Sequence, residues 1–341
     1  MIQQKEITIY DLAKMLNISP ATVSRGLKDH PAISKKTKKR IDDLAKETGY
    51  RSNNFARNLR KQGTNTIGVI VPRLNSYFMS TVIAGIENVA YDEGFNLLIS
   101  QSSEDVKKEV ASAVTMFNSR VDGLLVSLAY NTKNFSHFDA FVKRNVPLMF
   151  FDRVTKQDNS INVLIDNKKA GYKATTHLIE QGATKVMHIT GNLNRNVYTD
   201  RMLGYKQALA DHNIPFQEDM MIINDLSQES GAAAARVILQ MDAMPDAIFV
   251  ANDNCAVGCM LALKQAGIRI PDDILFVGFN NDPVCTVMEP NLSTINYPGC
   301  KMGEVSARNL INHINGRTAT EAVNMIILHS ELVIRASSQK A

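Results

Sequence analysis

Side chains able to do covalent or metal chemistry are scattered through the chain. The seven histidines, His30, His137, His177, His188, His212, His313 and His329, show neither a paired nucleophile nor metal-ligand spacing. Neither G-x-S-x-G nor a P-loop pattern occurs. Cys255, Cys259, Cys285 and Cys300 form no CxxC pair. Cys255 and Cys259, four apart on an expected helix, either place two ligands on one face or are small buried hydrophobes of a reduced cytoplasmic protein. Turnover, a metal and a cofactor are therefore not expected. The chemistry that residue type and spacing do suggest is recognition. In Ser19-Pro20-Ala21-Thr22-Val23-Ser24-Arg25-Gly26-Leu27-Lys28, Ser19 is a good N-cap and Pro20 fits a first helical turn. Val23 and Leu27 face inward, so Ala21, Thr22, Ser24, Arg25 and Lys28 face out. A small, polar, basic helix face suits a DNA major groove.

The elements that position this face come next. Ile9, Leu12, Ala13 and Leu16 recur at helical spacing and make a first helix, broken at Asn17-Ile18. A third helix runs from the Ser34 cap to Gly49, with Ile41, Leu44 and Ala45 inward and Lys35, Lys36, Lys38, Lys39 and Arg40 in its first turns. Charge is divided unevenly: residues 1–61 carry 14 Lys/Arg against 6 Asp/Glu, and the remainder 24 against 28. A basic module on a mildly acidic body points to a polyanion partner, and helix-turn-helix spacing without a bulky apolar face favours nucleic acid over membrane. No apolar run is long enough to span a bilayer, and Met1–Glu6 show no signal core, so a cytoplasmic location is expected.

Residues 52–63 read as a linker with a weak helical pattern, Phe55 and Leu59 being four apart. Alone it is too short and polar to be stable. From Thr64 apolar strands alternate with helices: Thr66–Val71, Phe95–Ile99, Val121–Val126 and Pro147–Phe151 are strands in a first unit, with a helix over Phe135–Asn145 before the last. Val186–Ile189, Met220–Ile223, Ala247–Val250 and Ile274–Val277 are strands in a second. The region near Ser293–Ile295 crosses back, and Lys301–Ile314 with a strand Met325–Ile334 completes the first unit. Alternation of this kind gives parallel sheets covered on both faces. With 341 residues the chain accommodates two or three domains. Two doubly wound lobes enclose a ligand cleft at the carboxyl ends of their strands.

By these motifs the sequence closely resembles the lactose-repressor (LacI/GalR) family of bacterial transcription regulators. The most specific matches are Ile9–Ala13, Ser19–Arg25, Tyr50 and Ala56–Leu59. Others are Gly68–Ile70, Asp152-Arg153, Asp166-Asn167, Ala251–Asp253, Pro271–Asp273 and Val277–Phe279. The resemblance implies an all-α helix-turn-helix headpiece (1–51) and a hinge (52–63). It implies a periplasmic-binding-protein-like α/β body (64–341), with a first lobe of about 64–165 and 296–325 and a second of about 166–295 and 326–341. It implies a homodimer on a palindromic operator in double-stranded DNA, controlled by a small-molecule effector, with no membrane partner.

The resemblance carries DNA contact onto Thr8, Tyr10, Ser19, Pro20, Ala21, Thr22, Ser24 and Arg25, and onto Asn53, Ala56, Arg57, Leu59 and Arg60. Arg25 matches a bidentate contact to guanine, and Leu59 a minor-groove wedge that bends the duplex. It carries effector contact onto Tyr77, Phe78, Asp152, Arg195, Arg201, Leu226, Asn252 and Asn280. Phe78 either stacks on a ligand ring or is the buried start of a helix. Two positions depart from the family pattern. Asn280 stands where an acidic residue often grips ligand hydroxyls, and Leu226 replaces an aromatic residue. A hydroxyl-rich sugar is the first expectation. Arg195, six residues before Arg201, keeps a purine-like ligand open. An exported sugar-binding protein and an enzyme are the rival classes, opposed by the basic headpiece and by the scattered histidines.

Overall fold

The computed structural model describes residues 7–50, 63–155, 161–317 and 324–339. It divides into a unit up to Thr64 and a larger one from Asn65. In the first unit, α1 (Ile9–Leu16), α2 (Pro20–Gly26) and α3 (Lys35–Glu47) each begin at a hydroxyl cap. Thr8, Ser19 and Ser34 accept from the backbone N–H groups of Asp11, Thr22 and Thr37. The Asp11 carboxylate in turn accepts from the Thr8 backbone N–H at 2.8 Å, closing a capping box. Asn17 takes the left-handed conformation (φ 53) that ends α1 and turns the chain toward α2. Leu12, Ala13, Val23 and Ile41 form the buried core of this unit. Gly26 lets α2 and α3 approach, because a Cβ there would collide with the Ile41 side chain.

The second unit holds two six-stranded sheets. The first contains β1 (Thr66–Val71), β2 (Asn96–Gln101), β3 (Gly123–Val126), β4 (Leu148–Phe151), β5 (Ile161–Ile165) and β11 (Met325–Leu328), in the order β11-β5-β4-β3-β1-β2. The second contains β6 (Val186–Thr190), β7 (Met221–Ile223), β8 (Ala247–Val250), β9 (Leu275–Asn280), β10 (Ser293–Asn296) and β12 (Glu331–Val333), in the order β12-β10-β9-β8-β6-β7. Pairing is parallel except between β10 and β12. Central strands such as β1, β3 and β8 are almost wholly buried, as near-continuous apolar runs require when helices cover both faces.

The flanking helices are α4 (Tyr77–Asp92), α5 (Val106–Asn118) and α6 (Asp139–Lys143) in the first lobe. The second lobe has α7 (Asn167–Glu180), α8 (Asn196–Asp211), α9 (Gln228–Ile238), α10 (Asp253–Gln265) and α11 (Val284–Val287). After β10 the chain returns to the first lobe as α12 (Gly299–Ile314). Gly85 of α4 and Gly303 of α12 sit back to back. A Cβ on either would strike the other helix's backbone, so these helices cross at main-chain contact.

Three expectations need correction. Strand β5 went unread because Asn162 interrupts a short apolar run. The expected strand 325–334 is two strands: Met325–Leu328 pairs with β5 in the first sheet, and Glu331–Val333 pairs with β10 in the second. The return to the second lobe therefore falls after Leu328, not after 325. Apolar side chains on both sides of His329-Ser330 disguise that change of sheet. The expected helix 135–145 opens as a 3₁₀ turn, Ser136–Phe138, before α6.

Candidate functional site

On the headpiece, Tyr10 is 68% exposed on α1, and Ala21 and Arg25 are exposed on α2. Pro20, Thr22 and Ser24 are half-buried. The Thr22 hydroxyl lies 2.8 Å from Ser19 Oγ, so the cap that starts α2 also engages this side chain. Of the five cations opening α3, Lys38 is bound at 2.6 Å by Asp29, whose carboxyl it holds below the usual range by hydrogen bond and charge. Lys35, Lys36, Lys39 and Arg40 are exposed. The arrangement is a capped helix presenting one arginine, with cations on the neighbouring helix suited to phosphate. Asn53, Ala56, Arg57, Leu59 and Arg60 lie outside the described residues.

In the body, a cavity of about 310 Å³ opens where strand ends of the two lobes face each other, a size suited to a small ligand. Phe78, Asp152, Arg201, Leu226, Asn252 and Asn280 line it, together with Arg73, Glu104, Tyr130, Arg153, Tyr198, Asp225 and Tyr297. Arg201 is buried on α8. It donates through Nε to Asn167 Oδ1 at 2.9 Å and through Nη1 to the Ala251 carbonyl at 3.0 Å, and its guanidinium lies 3.4 Å from the Phe279 ring centroid. Burial lowers its pKa, though a guanidinium stays charged. The Asp152 carboxylate accepts from Tyr297 Oη at 2.8 Å, and Phe78 stacks on the Tyr297 ring at 4.2 Å. Burial and the Asp152 charge hold the Tyr297 phenol well above its ordinary pKa, so it remains a donor. Burial alone would lower Arg153, but Tyr198 and Glu104 raise it well above the ordinary value. Arg153 donates to Glu104 Oε2 at 2.7 Å and to Tyr198 Oη at 3.1 Å.

Backbone strain gathers in the same place. Glu104 (φ 62), Asp152 (φ 58), Leu226 (φ 58) and Asn280 (φ 119) are non-glycine residues in the left-handed region, and all four line the cavity. The lobes are joined beside it. Asn196 of α8 accepts from the Val154 N–H at 3.0 Å and donates to the Asp152 carbonyl at 3.1 Å, which fixes the end of β4 on the second lobe.

Two expected effector residues do not line the cavity. Tyr77, at the first turn of α4, is 49% exposed. Arg195 is buried and donates instead to the Thr132 carbonyl of the first lobe. Tyr77 lies between Ser76 and Phe78, which do line the cavity, and Arg195 is the N-cap residue of α8. Sequence reading also passed over Glu104, Tyr130, Tyr198, Asp225 and Tyr297. Position was an available signal: Glu104, Tyr130, Asp225 and Tyr297 follow the carboxyl ends of β2, β3, β7 and β10 within four residues. Cys255, Cys259 and Cys285 are buried, Cys300 is exposed, and burial pushes the Cys255 thiol up to about 12.

A capped, exposed basic helix on one unit and a polar cleft between two α/β lobes on the other define a ligand-responsive DNA-binding protein. Known proteins agree. The family of bacterial regulatory proteins, lacI family, matches residues 8–53, and a periplasmic binding protein-like domain matches residues 175–338. The chain is 31% identical over 332 residues to the HTH-type transcriptional repressor PurR of Yersinia pestis (strain Pestoides F), covering 97% of this chain and 96% of that protein. The lac repressor dimer bound to operator and the anti-inducer ONPF matches with a TM-score of 0.85 at 25% identity, over 98% of this chain and 100% of that one. The complex of the transcriptional regulator CelR with cellobiose matches with a TM-score of 0.74 at 25% identity, over 97% and 100%. The chain belongs to the lacI family: it is a DNA-binding transcriptional repressor with a ligand-binding body. Among the described residues, no helix is long and apolar enough to cross a membrane.

Proposed function

We propose that this repressor acts in the cytoplasm as a homodimer on a palindromic operator, and that a small hydroxyl-rich ligand in the cleft sets its hold on DNA. Residues 1–51 act as the headpiece and 52–63 as the hinge. Helix α2 enters the major groove, Arg25 makes the principal base contact, and Thr22, Ser24 and the α3 cations meet phosphate. Leu59 wedges into the central minor-groove step. The observation that carries the effector reading is the ring of polar strand-end side chains around buried Arg201 and Asp152, a site built to hold hydroxyls between two lobes. The protein binds this ligand without turning it over. The relatives that support this reading are transcriptional repressors, and His137 and His188 are tied to Glu109 and to the Phe249 carbonyl. A purine-like ligand is the second reading, favoured by the 31% identity to a repressor named PurR, while Arg195 itself donates to the Thr132 carbonyl. Ligand closes the cleft, closure reorients the first lobes of the dimer, and effector and DNA affinities are reciprocally linked. Titration of the full chain on operator DNA with and without sugars tests this: at least one sugar shifts the affinity, and equal affinity with every sugar overturns it.

A further inference from the structure

The Glu104 side chain is only 10% exposed at the wall of the cleft, and its two oxygens are in unequal states. Oε2 accepts from Arg153 Nη1 at 2.7 Å and from the Tyr130 backbone N–H at 3.2 Å. Oε1 is buried and accepts no hydrogen bond from any described residue. Its nearest cation is Arg73 Nε at 3.6 Å, an ion pair too long for a hydrogen bond, on a side chain 39% exposed at the rim. The Glu104 backbone is held in the left-handed region, a cost met where the side chain's placement matters. An unsatisfied buried carboxylate oxygen costs free energy until a donor reaches it. The other lining groups make the bias stronger. Arg153 and Arg201 are committed to protein acceptors, and the remaining lining cation, Arg73, shares the cavity wall with the carboxylates of Glu104, Asp152, Asp225 and Glu229, so the lining is richer in acceptors than in cations.

We infer that Glu104 Oε1 is the acceptor that grips a hydroxyl or amino group of the effector, and that the cleft takes an uncharged, donor-rich ligand and rejects its phosphate ester. This rests on the effector reading above and sharpens it. The acceptor stands on the first lobe, three residues beyond the end of β2. A phosphate group brought to the same place meets the Glu104 carboxylate and two arginines already bonded to protein acceptors; Arg73 at the rim, already paired in charge with Glu104, is the cation left to it, and the desolvation of both anions opposes binding.

The test is calorimetric titration of the full chain with matched pairs: d-glucose and d-glucose 6-phosphate, d-ribose and d-ribose 5-phosphate, cellobiose and its 6-phosphate. The wild-type chain is expected to bind a neutral member at least about ten-fold more tightly than its phosphate, the scale of one charge-assisted hydrogen bond. Glu104→Gln lowers affinity for the neutral sugar about ten-fold and shrinks the neutral-to-phosphate ratio. A merely structural role, through Arg153 and Tyr130, would weaken both members alike and leave the ratio unchanged. A wild-type preference for the phosphate, or a ratio untouched by Glu104→Gln, overturns the inference while leaving the effector reading intact. The wild-type ratio needs no variant to fold. If no sugar of either kind binds at millimolar concentration, the effector reading itself fails and the inference falls with it.

Discussion

Tyr297 and Asp152 join two segments 145 residues apart: Tyr297 Oη donates to Asp152 Oδ1 across 2.8 Å at the floor of the cleft. Asp152 ends β4 in the first lobe, and Tyr297 follows β10 where the chain returns from the second. The bond therefore ties a crossing segment to a wall of the ligand cavity. Its other carboxylate oxygen is 3.4 Å from Ser127 Oγ, a weaker contact. Tyr297→Phe keeps the ring on Phe78 and removes only the donor. We expect a loss of roughly 1–3 kcal/mol in chemical denaturation, the cost of leaving a buried acceptor unmade. A denaturation midpoint equal to wild type would show that water replaces the phenol.

The Asp253–Asp282 pair gives a pH prediction. Asp253 accepts from Thr294 Oγ1 at 2.7 Å and from the Asp282 backbone N–H at 2.9 Å. Asp282 Oδ1 is buried without a hydrogen bond among the described residues. Burial and the neighbouring Asp253 push the Asp282 carboxyl up to about 7. The folded state thus holds this proton more tightly than the unfolded chain, whose value is near 3.8. Below about pH 4 both states are protonated and the group is neutral to stability. Between about 4 and 7 only the unfolded state ionises, and stability falls with rising pH by up to about 1.4 kcal/mol per unit. Asp282→Asn should be more stable than wild type at pH 8, with the gap closing toward pH 4. A gap independent of pH in thermal melts would show that no such proton is held.

Arg25 is exposed on a helix fixed by the Ser19 cap and by the packing of Gly26 under Ile41. Arg25→Lys keeps the charge and loses the planar fork. It should relax operator preference at one base pair per half-site by about 1–3 kcal/mol while leaving the salt dependence of binding nearly unchanged. Competition among single-base operator variants reads this directly, and an unaltered base profile assigns the direct contact elsewhere.

Leu59→Ala is expected to lower operator affinity and reduce DNA bending, with effector affinity of the DNA-free full chain unchanged. Gel mobility of circularly permuted operator fragments measures the bend. Unchanged bending removes Leu59 as the wedge.

How much of this was readable from residue order differs between the two units. Thr8, Ser19 and Ser34 announce their helices because a cap bonds a backbone group only three residues on. The outward face of α2 follows from Val23 and Leu27 alone. The apolar strands were legible for the same reason: burial on both faces leaves a continuous run. The sheet membership of β11 was not, since Met325–Leu328 and Glu331–Val333 share one apolar texture and differ only in which sheet receives them.

Sequence by itself determined the helix-turn-helix, its basic charge, the two α/β lobes and the family, all of which rest on neighbours within a few positions or on composition. Tertiary structure alone decided which side chains share the cleft. It brought in Glu104, Tyr130, Tyr198 and Tyr297 and turned Tyr77 and Arg195 elsewhere. The physical reason is distance along the chain: Glu104 meets Arg153, and Tyr297 meets Asp152, only because parallel strands end at one edge and the crossing segments return there. Local periodicity sets what an element is. Where its end points, and whether an acceptor such as Glu104 Oε1 lacks a donor, is settled only when remote elements pack.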